Sequence, residues 1–257
     1  MIDYKIDGKS VLITYSVEES FTNEDPLFLQ SLFYDLPFDL DAYDFISINI
    51  DISENIFVYV IDDLHFVHTK NNKIEFSLNS SSQLFYRLFV ANHRMCDVCQ
   101  RKEFSYCQAL PEKFQKEVSV DLNGEHSVAY VKCHYLGDKT SAFKVKTSQN
   151  HKISNTTSKF LIKSVLDDQS QMINESTIFV DRNLENVNSE QTNKNLLIGY
   201  KPKVRSVPNL KINSKKVNCK HGATFKNLDS EELFYFQSRG IDKFTSERIL
   251  IDAFLNY

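Results

Sequence analysis

The sequence predicts a mainly β fold of many short strands, closed by a two-helix tail, and three observations carry that prediction. From about residue 46, the segments FISINIDI, NIFVYVI, LHFVHTK and KIEFSLN alternate or run β-branched and aromatic, with short polar breaks. The pattern returns after residue 115 as KEVSVDLN, SVAYVKCHYL, AFKVKTSQ, KFLIKSVL, TIFVDR, NLLIGY and NLKINSKKVNC. Clusters of Asn, Ser, Thr, Asp and Gly lie between these runs; such residues make turns by local hydrogen bonding or by tolerating positive φ. From Leu228 the apolar spacing becomes helical.

Two architectures accommodate so many short strands: a sandwich or barrel, and a solenoid of stacked coils. A solenoid tolerates Asn and Thr in its strands and corners, where they can stack as ladders. The polar stretches SQNHKISNTTSK and VNSEQTNKN favour it. No strict sequence period is visible, so periodicity leaves both architectures open. The first forty-five residues are the least readable. Within them LFLQSLFYDLPF (27–38) reads as a short helix stopped by Pro37 or as a loop with buried aromatics.

The tail is clearer. Asp229 is placed as an N-cap with Glu232 at N3, and Leu228 and Leu233 stand as a hydrophobic staple. This helix should run to about Ser238 and stop at Gly240. A second helix, from Asp242 or Thr245 through Leu255, carries Ile249, Leu250, Ala253 and Phe254 at helical spacing. Two short helices cannot bury that apolar surface against each other. It must pack on the β body or on another protein.

Length, composition and charge bound the function. A chain of 257 residues is long enough for one large domain or two modest ones. Hydrophobic residues make up 42% and charged residues 25%, as in an ordinary globular protein. A net charge of −4 with scattered basic residues gives no footprint for nucleic acid. The start, MIDYKIDGKS, lacks a basic region leading into an apolar one, and no stretch approaches eighteen consecutive apolar residues. Neither secretion nor a membrane span is therefore expected. Five cysteines, an odd number in a chain too large to need stapling, then read as reduced cytoplasmic thiols.

Two constellations could carry chemistry. In VNCKHGATF (217–225), Cys219 and His221 are two apart on an expected strand, so both side chains project from one face. A thiol and an imidazole together suit a soft-metal or sulfur site. They equally suit a packed strand with a small buried cysteine. The second constellation is His93-x2-Cys96-x2-Cys99-x7-Cys107, four soft ligands sufficient for zinc or a cluster. Its flanks lack the glycines of zinc knuckles, and incidental thiols on a loop are the plainer reading.

The stretch CKHGATFKNLDSEELFYFQSRGIDKFTSERILIDAF (219–254) resembles the C-terminal end of the SufB/SufD family of iron–sulfur cluster assembly proteins. That family pairs a Cys-x-His-Gly-Ala-Thr-like strand with a helix ending LFY-x-x-SRGI, followed by a helix ending Ala-Phe. Upstream, TTSKFLIKSVLDDQSQ (156–171), EQTNKNLLIG (190–199) and VPNLKINSKKVNC (207–219) are similar to further family blocks, in the same order. The resemblance covers about 115–256. It implies a right-handed β-helix, or solenoid, core followed by a small C-terminal helical domain. The expected divisions are a short divergent N-terminal segment (1–45), the β-helix (46–224) and the helical domain (225–257).

Within the family, the setting Lys220-His221-Gly222-Ala223 is D-like, since the B-type scaffold carries Glu-His-Glu-Ala. The B-type also places a scaffold cysteine earlier, where this chain has Gln191-Thr192-Asn193-Lys194-Asn195. The resemblance therefore implies a SufD-like, non-catalytic scaffold subunit that supports cluster assembly and iron supply. Cys219 and His221 would take part in a transient iron or iron–sulfur site shared with a SufB-like partner, with none held by the isolated chain. The helical domain would dock a SufC-like ABC ATPase, with Leu233, Phe234, Ile249, Leu250 and Phe254 as candidate contacts. A homodimer through the same β surface is a further implied state. The alternatives are a self-contained metal module using Cys96, Cys99 and Cys107, and a sugar-cleaving β-helix enzyme. The second needs two carboxylates flanking a cleft, and Asp167-Asp168 is the only adjacent pair in the well-matched core.

Overall fold

The computed structural model describes residues 2–22, 24–25, 27–28, 45–63, 71–91, 113–199 and 201–256. Its strands are β1 (Ile2–Asp7), β2 (Ser10–Val17), β3 (Leu27–Phe28), β4 (Phe45–Ile52), β5 (Phe57–Asp63), β6 (Asn71–Leu78) and β7 (Gln83–Ala91). They continue as β8 (Lys113–Leu122), β9 (Val128–Gly137), β10 (Ala142–His151), β11 (Thr157–Leu166) and β12 (Gln171–Val180). The last are β13 (Glu185–Leu197), β14 (Lys203–Ile212) and β15 (Lys216–Asn227). Two helices follow, α1 (Ser230–Ser238) and α2 (Lys243–Asn256). The expected strand at 64–70 and the segment 29–38 lie outside the described residues.

From β2 onward successive strands alternate between two sheets. One sheet runs β1-β2-β4-β6-β8-β10-β12-β14, the other β15-β13-β11-β9-β7-β5-β3. Every pairing is parallel except the β1–β2 hairpin. This is the β-solenoid. Equivalent side chains on neighbouring coils hydrogen-bond at separations of 29 residues, as in Ser148–Ser119, and 31, as in Ser164–Asn195.

The corners explain why the coils close. Positive φ recurs there at His126, Asn155 and Asn186 on one side and at Lys139 and Asp168 on the other. Asn and Asp enter that region at little steric cost. At the first of these corners a Cβ on Gly124 would lie 2.0 Å from the backbone nitrogen of Ser80. Only glycine allows the two coils to approach there. Asp167 and Asp168 are turn formers: Asp167 Oδ1 accepts from the Asp168 backbone N–H at 2.7 Å and Asp168 Oδ2 from that of Lys139 at 3.2 Å.

Alternation along each strand sends one set of side chains between the sheets. In the earlier coils this set is aliphatic, with Ile13, Ile48, Ile74 and Val118 stacked in register and fully buried. Each such side chain contributes roughly 1.5–3 kcal/mol relative to exposure. A buried ion pair interrupts it. Lys116 Nζ lies 3.0 Å from Asp62 Oδ2, which also accepts from Tyr86 Oη at 2.5 Å, all of them buried.

Past β8 this column turns polar. Ile74 and Val118 are followed in register by Thr147 and Ser176, which hydrogen-bond to each other at 3.0 Å. Gln191 Nε2 reaches across from the other sheet to Thr147 Oγ1 at 3.1 Å. His151 is buried, with Nδ1 2.7 Å from Thr156 Oγ1 and Nε2 2.8 Å from Ser158 Oγ. Burial pushes its imidazole down to about 4.

That depression makes stability depend on pH. The unfolded chain binds a proton near pH 6.5, which the folded His151 refuses until about 4. Stability is therefore complete above 6.5 and is lost as pH falls through 4, by on the order of 3 kcal/mol for this group. Urea denaturation at pH 7 and pH 4.5 should show the loss. His151→Gln should be less stable at pH 7 but flatter with pH; an unchanged pH slope would remove His151 as a source.

Candidate functional site

Cys219 and His221 lie on β15, the outermost strand of its sheet, and close two in-register columns. One column runs Val58, Leu84, Ala129, Ser158, Ser189 and Cys219; the next runs Val60, Tyr86, Val131, Phe160, Gln191 and His221. Both side chains therefore belong to the inner face, about 7 Å apart at the backbone by the strand rise. Among the described residues no strand pairs with the free edge of β15 or of β14. Inner-face positions of this last coil are consequently open. Leu210 and Ile212 on β14 and Phe225 on β15 are 38%, 37% and 53% exposed, although each continues a buried column.

The two residues differ in setting. Cys219 is half-buried against Ile178, Val180, Val187, Leu184 and Val217. Burial raises its thiol above the ordinary range, so a metal that takes it as thiolate must displace a proton. His221 is exposed, and Gly222 beside it leaves open space where a Cβ would stand. Among the described residues no third Cys, His or carboxylate completes a metal-binding group. A thiolate and an imidazole can thus offer two soft-to-borderline ligands, with further ligands drawn from outside these residues.

A polar layer lies directly inward of the pair. Ser189 Oγ is 2.9 Å from Ser158 Oγ and donates to Gln149 Oε1 at 3.1 Å. Asn193 Nδ2 donates to Ser206 Oγ at 2.8 Å, and Asn195 Nδ2 to the Thr224 carbonyl at 3.0 Å. The last of these bonds ties β15 to β13, which also meet in the apolar cluster of Ile178, Val180, Val187 and Val217. The segment VNSEQTNKN reads as strand-tolerant polar sequence, and the structure turns its Ser189, Gln191, Asn193 and Asn195 inward and buries them. The sequence signal that could have found them is their strict alternation.

The contrast with Cys133 is sharp. That thiol is fully buried in the aliphatic half and pushed up to about 12, chiefly by burial. His93, Cys96, Cys99 and Cys107 lie outside the described residues, so the alternative metal module has no geometry to weigh. Asp167 and Asp168 bend a corner and hold its backbone, as described above.

The helical tail folds as the capping residues require. Asp229 Oδ1 accepts from the Glu231 N–H at 2.8 Å, and Gly240 takes φ +82° beyond the end of α1. Asp242 caps α2, with Oδ1 accepting from the Thr245 N–H at 3.0 Å. Ile251, Phe254 and Leu255 of α2 pack on Leu136, Val165 and Leu196, on the outer face of the β15-side sheet. Phe254 is thereby half-buried at home, as are Leu233 and Leu250, which are neither fully exposed nor buried. Phe234, Tyr235, Phe244 and Ile249 remain exposed, Phe234 at 71%.

Residues 104–254 match the family model described as the SufBD core domain of the SUF system for FeS cluster assembly. The chain belongs to the SufBD family of iron–sulfur cluster assembly proteins. It is 31% identical over 136 residues to the iron–sulfur cluster assembly protein SufD of Escherichia coli, covering 53% of this chain and 32% of that one. It is 34% identical over 94 residues to an iron–sulfur cluster assembly SufBD family protein of Synechocystis, covering 37% and 21%. A third relative, the chloroplastic ABCI7 of Arabidopsis thaliana, is 38% identical over 84 residues, covering 33% and 18%. The chain spans a third or less of the length of these curated relatives. With SufD proteins among them and the Lys-His-Gly-Ala setting at 220–223, this SufBD family member is SufD-like.

The two thiols should separate by reactivity. Iodoacetamide at pH 8 followed by peptide mass spectrometry should label Cys219 in the folded protein and leave Cys133 unlabelled until denaturant is added. Labelling of Cys133 in the native protein would contradict its burial.

Proposed function

We propose that this SufBD family member acts as the SufD-type, non-catalytic scaffold subunit of a SUF assembly complex in the cytoplasm. The supporting observation is the last coil, where Cys219 and His221 stand on a core-facing surface that no strand covers among the described residues. A SufB-like scaffold would cover it, pairing with the free edges of β14 and β15 by strand addition. Leu210, Ile212 and Phe225 would then lose their exposure. Iron or a nascent cluster is cargo at that junction: Cys219 and His221 supply two ligands and the partner or sulfide supplies the rest. A second copy of this chain could occupy the same face in the absence of the partner.

The tail residues 225–257 form the docking domain for a SufC-like ATPase on this reading. Phe234, Tyr235, Phe244 and Ile249 supply an apolar face that the solenoid does not use. Leu233 and Leu250 lie beside it, while Phe254 supports the domain from beneath. No described helix is long and apolar enough to cross a membrane.

Co-expression with the SufB-like and SufC-like proteins of the same genome tests the reading. A defined complex of the three should form, and His221→Ala should abolish iron–sulfur build-up on it while leaving assembly intact. Normal cluster yield in the His221→Ala complex would exclude the histidine as a ligand. A chain that stays apart from both proteins would exclude the subunit role.

A further inference from the structure

Lys163 stands on the outer face of β11, where a lysine ordinarily extends into water, yet only 1% of it is exposed. Its Nζ donates to the backbone carbonyls of Phe254 at 2.7 Å and Leu255 at 3.0 Å. These are carbonyls of the last turn of α2, which have no partner within the helix and carry the negative end of its dipole. The ammonium also lies 5.6 Å from the centroid of the Phe254 ring. Leu136, Val165 and Leu196 on the sheet meet Ile251, Phe254 and Leu255 on the helix and collar the contact.

Holding a cation there is costly. Burial first, then the neighbouring Lys194 and Lys132, press its ammonium down to about 8. A methionine of similar length would fill the site without that penalty. What the lysine adds is direction: two charge-assisted bonds fix the end of α2 to one point on the sheet, whereas apolar packing alone lets a helix slide. The position of that point matters. Lys163, Lys194 and Thr224 share one rung across β11, β13 and β15. Phe160, Gln191 and His221 form the rung three residues earlier on the same strands. Asn195, next to Lys194, donates to the Thr224 carbonyl and tightens the link to β15. The exposed Ile249 lies roughly 160° around α2 from the docked Ile251, so the helix can carry a partner on one side and the sheet on the other.

We propose that Lys163 is the positioning residue that couples the helical tail to the Cys219–His221 strand. It makes the tail one lever with β11, β13 and β15, so that movement imposed on α1 and α2 reaches the last coil instead of being absorbed at Leu228–Asp229. This rests on the reading of the tail as an ATPase-docking domain and of the last coil as the cluster site.

Two measurements on the full chain test it. In the isolated protein, Lys163→Met should raise hydrogen exchange of the amides of 251–256 by roughly tenfold or more, with β9 and β13 still protected. Lys163→Arg, which keeps charge and donors, should restore protection. Unchanged protection of 251–256 in Lys163→Met would overturn the proposal, and needs no partner protein to be seen. If Lys163→Met fails to fold, Lys163→Gln, which keeps a neutral donor, takes its place in both measurements. In the three-protein complex, Cys219 alkylation is timed with and without a non-hydrolysable ATP analogue. A nucleotide effect in the wild type that falls to less than about twofold in Lys163→Met, with assembly and ATP hydrolysis retained, supports the coupling. A nucleotide effect of wild-type size in that variant overturns it. Absence of the complex, or of any nucleotide effect in the wild type, counts instead against the proposed function on which the coupling rests.

Discussion

A strand in a parallel stack is hydrogen-bonded along both edges, so a solenoid satisfies its backbone everywhere except at its first and last coils. All the inter-coil pairings among the described residues obey that rule, each strand joining the one two places on in the sequence. At the beginning the chain folds back on itself, and β1 lies antiparallel on β2. At the other end β14 and β15 have no such neighbour among the described residues. Edge strands of this kind are ordinarily short, bulged or charged to prevent adventitious pairing. β14 and β15 do carry charges, at Lys203, Arg205, Lys211, Lys216, Lys220 and Lys226, and β14 has Pro208. Yet they span ten and twelve residues and show apolar inner positions to solvent. The exposed edge and the Cys219–His221 pair therefore belong to one feature: the two side chains take interior positions of a coil whose outer edge is unpaired among the described residues.

The filling of the columns changes along the solenoid. Isoleucine, valine and leucine dominate the early coils, whereas the late ones mix buried serine, threonine, asparagine, glutamine and His151 with apolar residues such as Phe160, Ile162, Ile178 and Val180. A buried hydrogen bond contributes about 1 kcal/mol net, against roughly 1.5–3 kcal/mol for a buried aliphatic side chain. The late coils thus rely more on direction-specific contacts of smaller individual worth, and the early coils more on volume.

Much of this was legible in the sequence. The β-branched alternation locates β4, β5, β6 and β8 to β11, but TIFVDR and NLLIGY mark only the ends of β12 and β13. The capping residues locate α1, and the apolar spacing locates α2. The sequence of β7 does not read as a strand, because QLFYRLFVA shows apolar residues on both faces: Leu84, Tyr86 and Leu88 point inward and Phe85 and Phe89 outward. NLKINSKKVNC reads as one run, whereas the chain turns within it and divides it between β14 and β15. The coil period stayed hidden because the coils share backbone states and not residues: one corner position is His126, Asn155 and Asn186 in turn. The Cys219–His221 pair was legible from the strand period, but the openness around it was not. Exposure at a chain's last coil depends on what fails to stack upon it, and no residue in VNCKHGATF encodes that.

Lys163 shows the limit of sequence reasoning from the other side. In KFLIKSVL it is a polar letter on an outward position, and an outward lysine reads as solvated. Its partners are carbonyls more than ninety residues further on, and carbonyls carry no side-chain signature. The helix had to end above that rung for the lysine to be buried. The ending is set by the length of α2, by the Asp242 cap and by the apolar collar of Ile251, Phe254 and Leu255. An apolar side chain at 163 would have sealed the interface at lower electrostatic cost. A buried cation crowded by Lys132 and Lys194 is accounted for more readily by a need to fix where the helix ends than by a need for stability.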